Sequence, residues 1–142
     1  MDANVLKKLS EISVATAAMQ LLKRDVRNVS LAGVMPINDP VLPITGPAYT
    51  LRFVPLREDL STLEALGGAD YSPRRAIEEC PKDSVLVIDG RNRSDIAVLG
   101  DLLTERLHQR GVTGVVSDGG VRDFKATLDV GLPVYAAGPA AP

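Results

Sequence analysis

Apolar positions at the start of the chain recur at helical intervals. Val5, Leu6, Leu9 and Ile12 fall on one helical face, and Ser13 is placed to cap a second helix through Ala15, Ala17, Ala18, Met19, Leu21 and Leu22. VSLAGVMPI (29–37) alternates or runs apolar up to Pro36, which predicts a strand. NDPVLPITGP (38–47) is rich in turn formers. AYTLRFVPL (48–56) then alternates, with Tyr49, Leu51 and Phe53 on one face and Thr50 and Arg52 on the other, as a half-buried strand does. Two short helices are predicted around 59–66 and 73–79, joined by GGADYSP. VLVID (85–89) is a continuous apolar run, the mark of a strand covered on both faces. GRNRSDIAV reads as a polar loop leading into a helix from Asp101. In that helix Leu102, Leu103 and Leu107 are expected to face inward and Thr104, Glu105, Arg106, His108 and Gln109 outward, with Gly111 as the stop. VTGVVSD (112–118) predicts a buried strand, GGVRDF a tight turn, 125–130 a short helix and LPVYAA a last strand. From residue 85 onward the order is strand, helix, strand, helix, strand, which predicts an α/β fold with locally parallel pairing. With no repeat and no linker, residues 1–142 read as one domain: N-terminal helices in 1–25 and an α/β core over 29–142.

Composition narrows the classes. The 142 residues are enough for one domain with a real core, and 45% hydrophobic with 24% charged residues is ordinary for a globular chain. A net charge of −2, without a basic surplus, argues against direct nucleic-acid binding. Cys80 is the only cysteine, so no intrachain disulfide forms, which fits a reducing compartment. MDANVLKKLSEIS lacks the apolar centre of a signal peptide, and no apolar run reaches membrane-spanning length. A soluble cytoplasmic protein is expected.

Two stretches carry polar groups that packing does not explain. Gly100-Asp101 opens a helix, where backbone N–H groups lack partners and the dipole is positive. A glycine there lets a small carboxylate or phosphate approach the backbone. Asp101 equally reads as an ordinary cap. Gly119-Gly120 makes a turn, and Arg122 and Asp123 follow it. Ligands of α/β sheets gather outside the carboxyl ends of strands. With parallel strands, Arg122 and the amides of residues 100–103 would converge on one anion. Arginine offers a planar fork for a carboxylate or keto-acid edge. Asp123 offers hard oxygens suited to Mg²⁺ or Mn²⁺, which keep water and take substrate as ligand. The plain alternative for Arg122-Asp123 is a surface turn with two solvated charges. His108, on the outward helix face, reads as surface, and with no second His or Cys beside it a zinc site is unsupported. Cys80, before Pro81, reads as a structural thiol. Asp118-Gly119-Gly120 lacks the Gly-Lys-Ser/Thr of a phosphate-binding loop. Arg91, Arg93 and Asp95 either line the same edge as Gly100 or form a solvated loop.

Taken together, these residues resemble the RraA-like family: the regulator of ribonuclease E activity A and the related 4-hydroxy-4-methyl-2-oxoglutarate / 4-carboxy-4-hydroxy-2-oxoadipate aldolases. The likeness runs through ISVATAAMQLLKR, GVMPIN, GPAYTLRFVPLREDL, VLVIDGR, GDLLTERLHQRGVTGVVSDGGVRD and GLPVYAAGPAAP. GDLL and GGVRD, in that order and spacing, are its specific part. The resemblance implies a three-layer β/β/α swivelling-type domain with its C-terminal part missing, assembled as a homotrimer or dimer of trimers. It implies divalent-metal-dependent cleavage or decarboxylation of 2-oxo acids. The amides of Gly100, Asp101, Leu102 and Leu103 would hold a pyruvate-type carboxylate. Arg122 would bind the keto oxygen, with Asp101 as a second catalytic residue and Asp123 as the anchor for Mg²⁺ or Mn²⁺. The alternative implied by the family's name is a non-catalytic regulator that binds a ribonuclease E-type partner.

Overall fold

The computed structural model describes residues 2–38, 43–68 and 71–141. Residues 39–42 of the turn-rich NDPVLPITGP stretch and 69–70 of GGADYSP lie outside the described residues. The elements in chain order are α1 (Ala3–Glu11), α2 (Val14–Leu22), β1 (Met35–Pro36), β2 (Ala48–Arg52), α3 (Leu63–Gly67), α4 (Ser72–Glu79), β3 (Val85–Asp89), β4 (Ala97–Leu99), α5 (Asp101–Gln109), β5 (Gly114–Ser117), β6 (Gly120–Val121), α6 (Phe124–Asp129) and β7 (Val134–Ala136).

A five-stranded sheet runs in the order β1-β7-β5-β3-β2, and β4 and β6 form a second, two-stranded sheet. β2, β3, β5 and β7 are mutually parallel, as the strand-helix-strand wiring predicts, whereas β1 is antiparallel to β7. Helices and both sheets share one core. Ile77 of α4 and Leu107 of α5 join Leu86, Ile88, Val115 and Val134 of the large sheet and Val98, Leu99 and Val121 of the small one. Tyr49, Leu51 and Phe53 pack against that core, as their alternation predicts. α4 and α5 are pinned by the two-pronged Arg106–Glu78 pair, at 2.8 Å for each contact.

Several predicted elements are corrected. Only Met35–Pro36 of the 29–37 stretch is strand, because a turn closes at Ala32-Gly33 with Val34 N–H donating to the Leu31 carbonyl. The helix expected at 59–66 begins only at Leu63, capped by Thr62, whose hydroxyl accepts from Ala65 N–H at 3.2 Å. The supposed polar loop after β3 holds β4, and the supposed tight turn holds β6. In α5 two positions trade places. Leu102 is 78% exposed, while Thr104 is fully buried beside Leu107. Thr104 can be buried because its hydroxyl donates to the Gly100 carbonyl at 2.8 Å. Gly111 ends the helix as predicted, at φ +75°.

Candidate functional site

The small sheet builds the site. β4 and β6 run parallel, with Ala97 opposite Gly120 and Leu99 opposite Val121. The residues that follow them, Gly100 and Arg122, therefore leave the sheet at the same end. Arg122 N–H donates to the Leu99 carbonyl at 3.0 Å, which ties the two exits together. A Cβ at Gly100 would lie 2.9 Å from Arg122 Nε, 3.0 Å from its Cγ and 3.1 Å from Asp123 Oδ2. The absence of that Cβ is what lets the guanidinium stem and the carboxylate lie across the start of α5. The sequence expectation had Arg122 leaving the 112–118 strand; it leaves β6 instead, and the convergence arises from the β4–β6 pair.

Gly100 is the N-cap of α5 and supplies no side-chain cap. Leu102 N–H donates to Asp101 Oδ1 at 2.7 Å, so Asp101 occupies one of the four expected anion donors. Among the described residues, the Asp101 and Leu103 amides have no acceptor. Arg122 Nε stands 3.5 Å from Asp123 Oδ2, and both side chains are about half exposed, at 50% and 51%. Asp123 adopts φ 50°, ψ 42°, the left-handed region that is costly for a residue with a Cβ. It stands at the N-cap of α6, yet its carboxylate makes no capping bond. That carboxylate is turned toward the Gly100 side of the turn. A cleft of about 110 Å³ opens beside these groups, walled by Phe53, Tyr71, Pro73 and Leu103, with Arg122 as its one charged lining residue among the described residues.

The donor set bears on a metal. Among the described residues, no group of three or more His, Cys, Asp or Glu could hold a cation. A dedicated protein cage is thus absent there, which disfavours zinc. One carboxylate with water and ligand oxygens is the mode that Mg²⁺ commonly uses, and Asp123 fits it.

Residues 7–142 match the RraA-like family model, described as Aldolase/RraA. The chain belongs to the RraA-like family. It is 36% identical over 95 residues to Protein DlpA of Legionella pneumophila, covering 67% of this chain and 14% of that protein. It is 26% identical over 108 residues to a Halalkalibacterium halodurans protein named "Putative 4-hydroxy-4-methyl-2-oxoglutarate aldolase", covering 72% of this chain and 50% of that one. Among solved structures it is similar to Streptomyces coelicolor RraAS2, an unusual member of the RNase ES inhibitor RraA protein family. The TM-score is 0.84 at 31% identity, over 100% of this chain and 65% of that one. The chain thus spans less than two thirds of the length of these relatives.

Other candidates in this RraA-like chain have structural duties. The 91–95 loop enters β4 while Gly100 leaves it, so the strand separates Arg91, Arg93 and Asp95 from the lip. Asp118 accepts Gly90 N–H at 2.5 Å and Asn92 N–H at 2.7 Å, which fastens that loop to the end of β5. Arg93 grips Asp95 through two 2.8 Å bonds and holds its carboxyl down at about 2. His108 is exposed, as expected, but its Nδ1 lies 2.9 Å from the Val130 carbonyl and links α5 to the end of α6. Cys80 is buried, and burial pushes its thiol above the usual range, which fits a structural role.

Sequence reasoning missed the cleft wall and the two buried threonines, Thr104 and Thr127. Alternation placed Phe53 inward without showing what it faces. Nothing in the local pattern ties Tyr71 and Pro73 to residues thirty positions on. Thr104 had one usable signal: a threonine four residues after a helix-start carbonyl can bond back to it.

Proposed function

We propose that this chain carries the 2-oxo-acid-binding site of a divalent-metal-dependent lyase. The reactions are retro-aldol cleavage of 4-hydroxy-4-methyl-2-oxoglutarate-type acids to pyruvate, and decarboxylation of oxaloacetate. The observation that supports this most is the placement of Arg122 over Gly100, at the opening of α5. The Gly100, Asp101 and Leu103 amides bind the substrate carboxylate, joined by Leu102 N–H when Asp101 releases it. Arg122 faces the keto oxygen. As the C3–C4 bond breaks, its electron pair moves toward C2 and negative charge gathers on that oxygen. The guanidinium stabilises the charge there without reorganising. In the aldol case Asp101 accepts the 4-hydroxyl proton as C4 becomes a carbonyl; decarboxylation needs no such base. A divalent cation on Asp123, where bound, supplies Lewis-acid polarisation of the 2-oxo group. Both reactions leave the same pyruvate enolate, which takes a proton at C3, from Asp101 after aldol cleavage or from water after decarboxylation, so one site serves both. The apolar walls of the cleft limit water on one side of the developing charge.

The test is pyruvate release from oxaloacetate with Mg²⁺ or Mn²⁺. Arg122→Ala is expected to lower kcat/KM by about a hundredfold or more. Turnover that ignores the metal, or that survives the substitution unchanged, contradicts the assignment. The working assembly on this reading is a homotrimer or dimer of trimers in the cytoplasm. No described helix is long and apolar enough to cross a membrane.

A second reading has its own support. RraAS2 is named as a member of an RNase inhibitor family, and a Thermus thermophilis protein named as the RNA-processing inhibitor RraA is also similar, with TM-score 0.59 at 27% identity over 78% of this chain and 58% of that one. A regulator would capture a ribonuclease E-type partner through a surface patch and keep doing so after Asp123→Ala. Loss of capture in that variant counts against it.

A further inference from the structure

We propose that Thr104 and Thr127 are positioning residues of the lip, each holding one of its two turns in working shape from beneath. The inference deepens the lyase reading and rests on it for the identity of the anion. Both threonines are fully buried, and neither lines the cleft itself. Thr127 binds the turn at two successive peptides. Its N–H donates to the Asp123 carbonyl at 2.9 Å, and its hydroxyl to the Arg122 carbonyl at 3.2 Å. The carbonyls on both sides of the Asp123 Cα are thus tied to one residue. Among the described residues, that hydroxyl is the only partner of the Arg122 carbonyl. Asp123 sits in the left-handed region with no capping bond of its own, a conformation that persists only where the surroundings over-determine it. Thr127 supplies that determination, and so fixes where the Arg122 and Asp123 side chains emerge.

Thr104 does the same for the other turn. Its N–H and its hydroxyl both donate to the Gly100 carbonyl, at 3.0 and 2.8 Å. A trans peptide places N–H opposite to C=O. With the Gly100 carbonyl drawn into α5, the Asp101 N–H is directed out toward the lip.

The experiment compares wild type with Thr127→Val, which keeps the shape and loses the hydroxyl, and Thr127→Ser, which keeps the hydroxyl. Two readouts are taken: the ¹³Cα and ¹³Cβ shifts of Asp123 in the ligand-free protein, and the affinity for oxalate with Mg²⁺ by calorimetry. In Thr127→Val the Asp123 shifts are expected to leave left-handed values and oxalate to bind about three- to tenfold more weakly, with Thr127→Ser near wild type in both. Left-handed shifts retained in Thr127→Val overturn the inference. Moved shifts with unchanged oxalate affinity also overturn it, since Thr127 is then structural only. If wild type itself binds no oxalate, the lyase reading fails, and a shift change in Thr127→Val still supports the backbone role. Should Thr127→Val not fold, Thr104→Val decides, because the Gly100 carbonyl keeps the Thr104 N–H there. About threefold weaker oxalate binding supports the inference, and unchanged binding overturns it.

Discussion

At Gly100 a single missing methyl decides whether the lip exists. Its backbone, φ −144°, ψ −178°, is open to any residue, so no conformational strain follows from adding a Cβ. The new atom would instead meet Arg122 Nε and Cγ and Asp123 Oδ2, all parts of half-exposed side chains that can swing aside. Gly100→Ala is therefore expected to change stability by less than about 1 kcal/mol, because no buried contact is lost. It is expected to cut pyruvate formation about tenfold or more, because the guanidinium is displaced. A thermal melt run beside the turnover assay separates the two effects. Asp95 offers a second check. The hydrogen bond from Arg93 holds its carboxyl at about 2, below the ordinary 3.8. A depressed carboxylate pKa means the pair stabilises the fold above the unfolded value and loses that contribution as pH falls through about 2. A carboxyl ¹³C titration of Asp95 should show its midpoint there, and Arg93→Gln should return it toward 3.8. That Gly100, Arg122 and Asp123 belong to one lip was readable in the sequence, because glycine beside charge at a helix start or turn has few packing explanations. Thr104 and Thr127 were not, because a hydroxyl on a helix reads as surface until its burial is seen.

Among the elements, those with a full period were legible and so was β7 within LPVYAA, whereas β4 and β6 were not. VLVID forms β3 over its whole span, and α5 starts and stops where Asp101 and Gly111 place it. β4 and β6 have three and two residues, too short for any alternation to show, yet they create the site. α1 and α2 raise a different matter. Their helical spacing was clear, but the apolar face it defines is not covered by the described chain: α2 has no buried residue, and Val14 is 81% exposed. Val5, Leu9, Met19 and Leu22 are exposed with it. An exposed apolar face of this kind suits a contact between molecules. The full chain is expected to sediment as a trimer or larger, and Val14→Asp with Met19→Asp to shift it toward monomer without lowering the core's melting temperature. A monomeric wild type contradicts this.

The whole molecule places two sheets and a helical layer on one core, and the candidate lip stands where the smaller sheet meets α5 and α6. Parallel pairing of β4 and β6 turns two distant stretches of sequence into one surface. Elsewhere the Asp118 clamp ties the 90–92 loop to the end of β5, and the Arg106–Glu78 ion pair ties α4 to α5. The most direct test of the central claim is a crystal structure with Mn²⁺ and oxalate, with the metal located by anomalous scattering. Oxalate is expected between the Asp101 and Leu103 amides and the Arg122 guanidinium, with Mn²⁺ against Asp123. Oxalate bound away from the start of α5, or Mn²⁺ absent from Asp123, would contradict it.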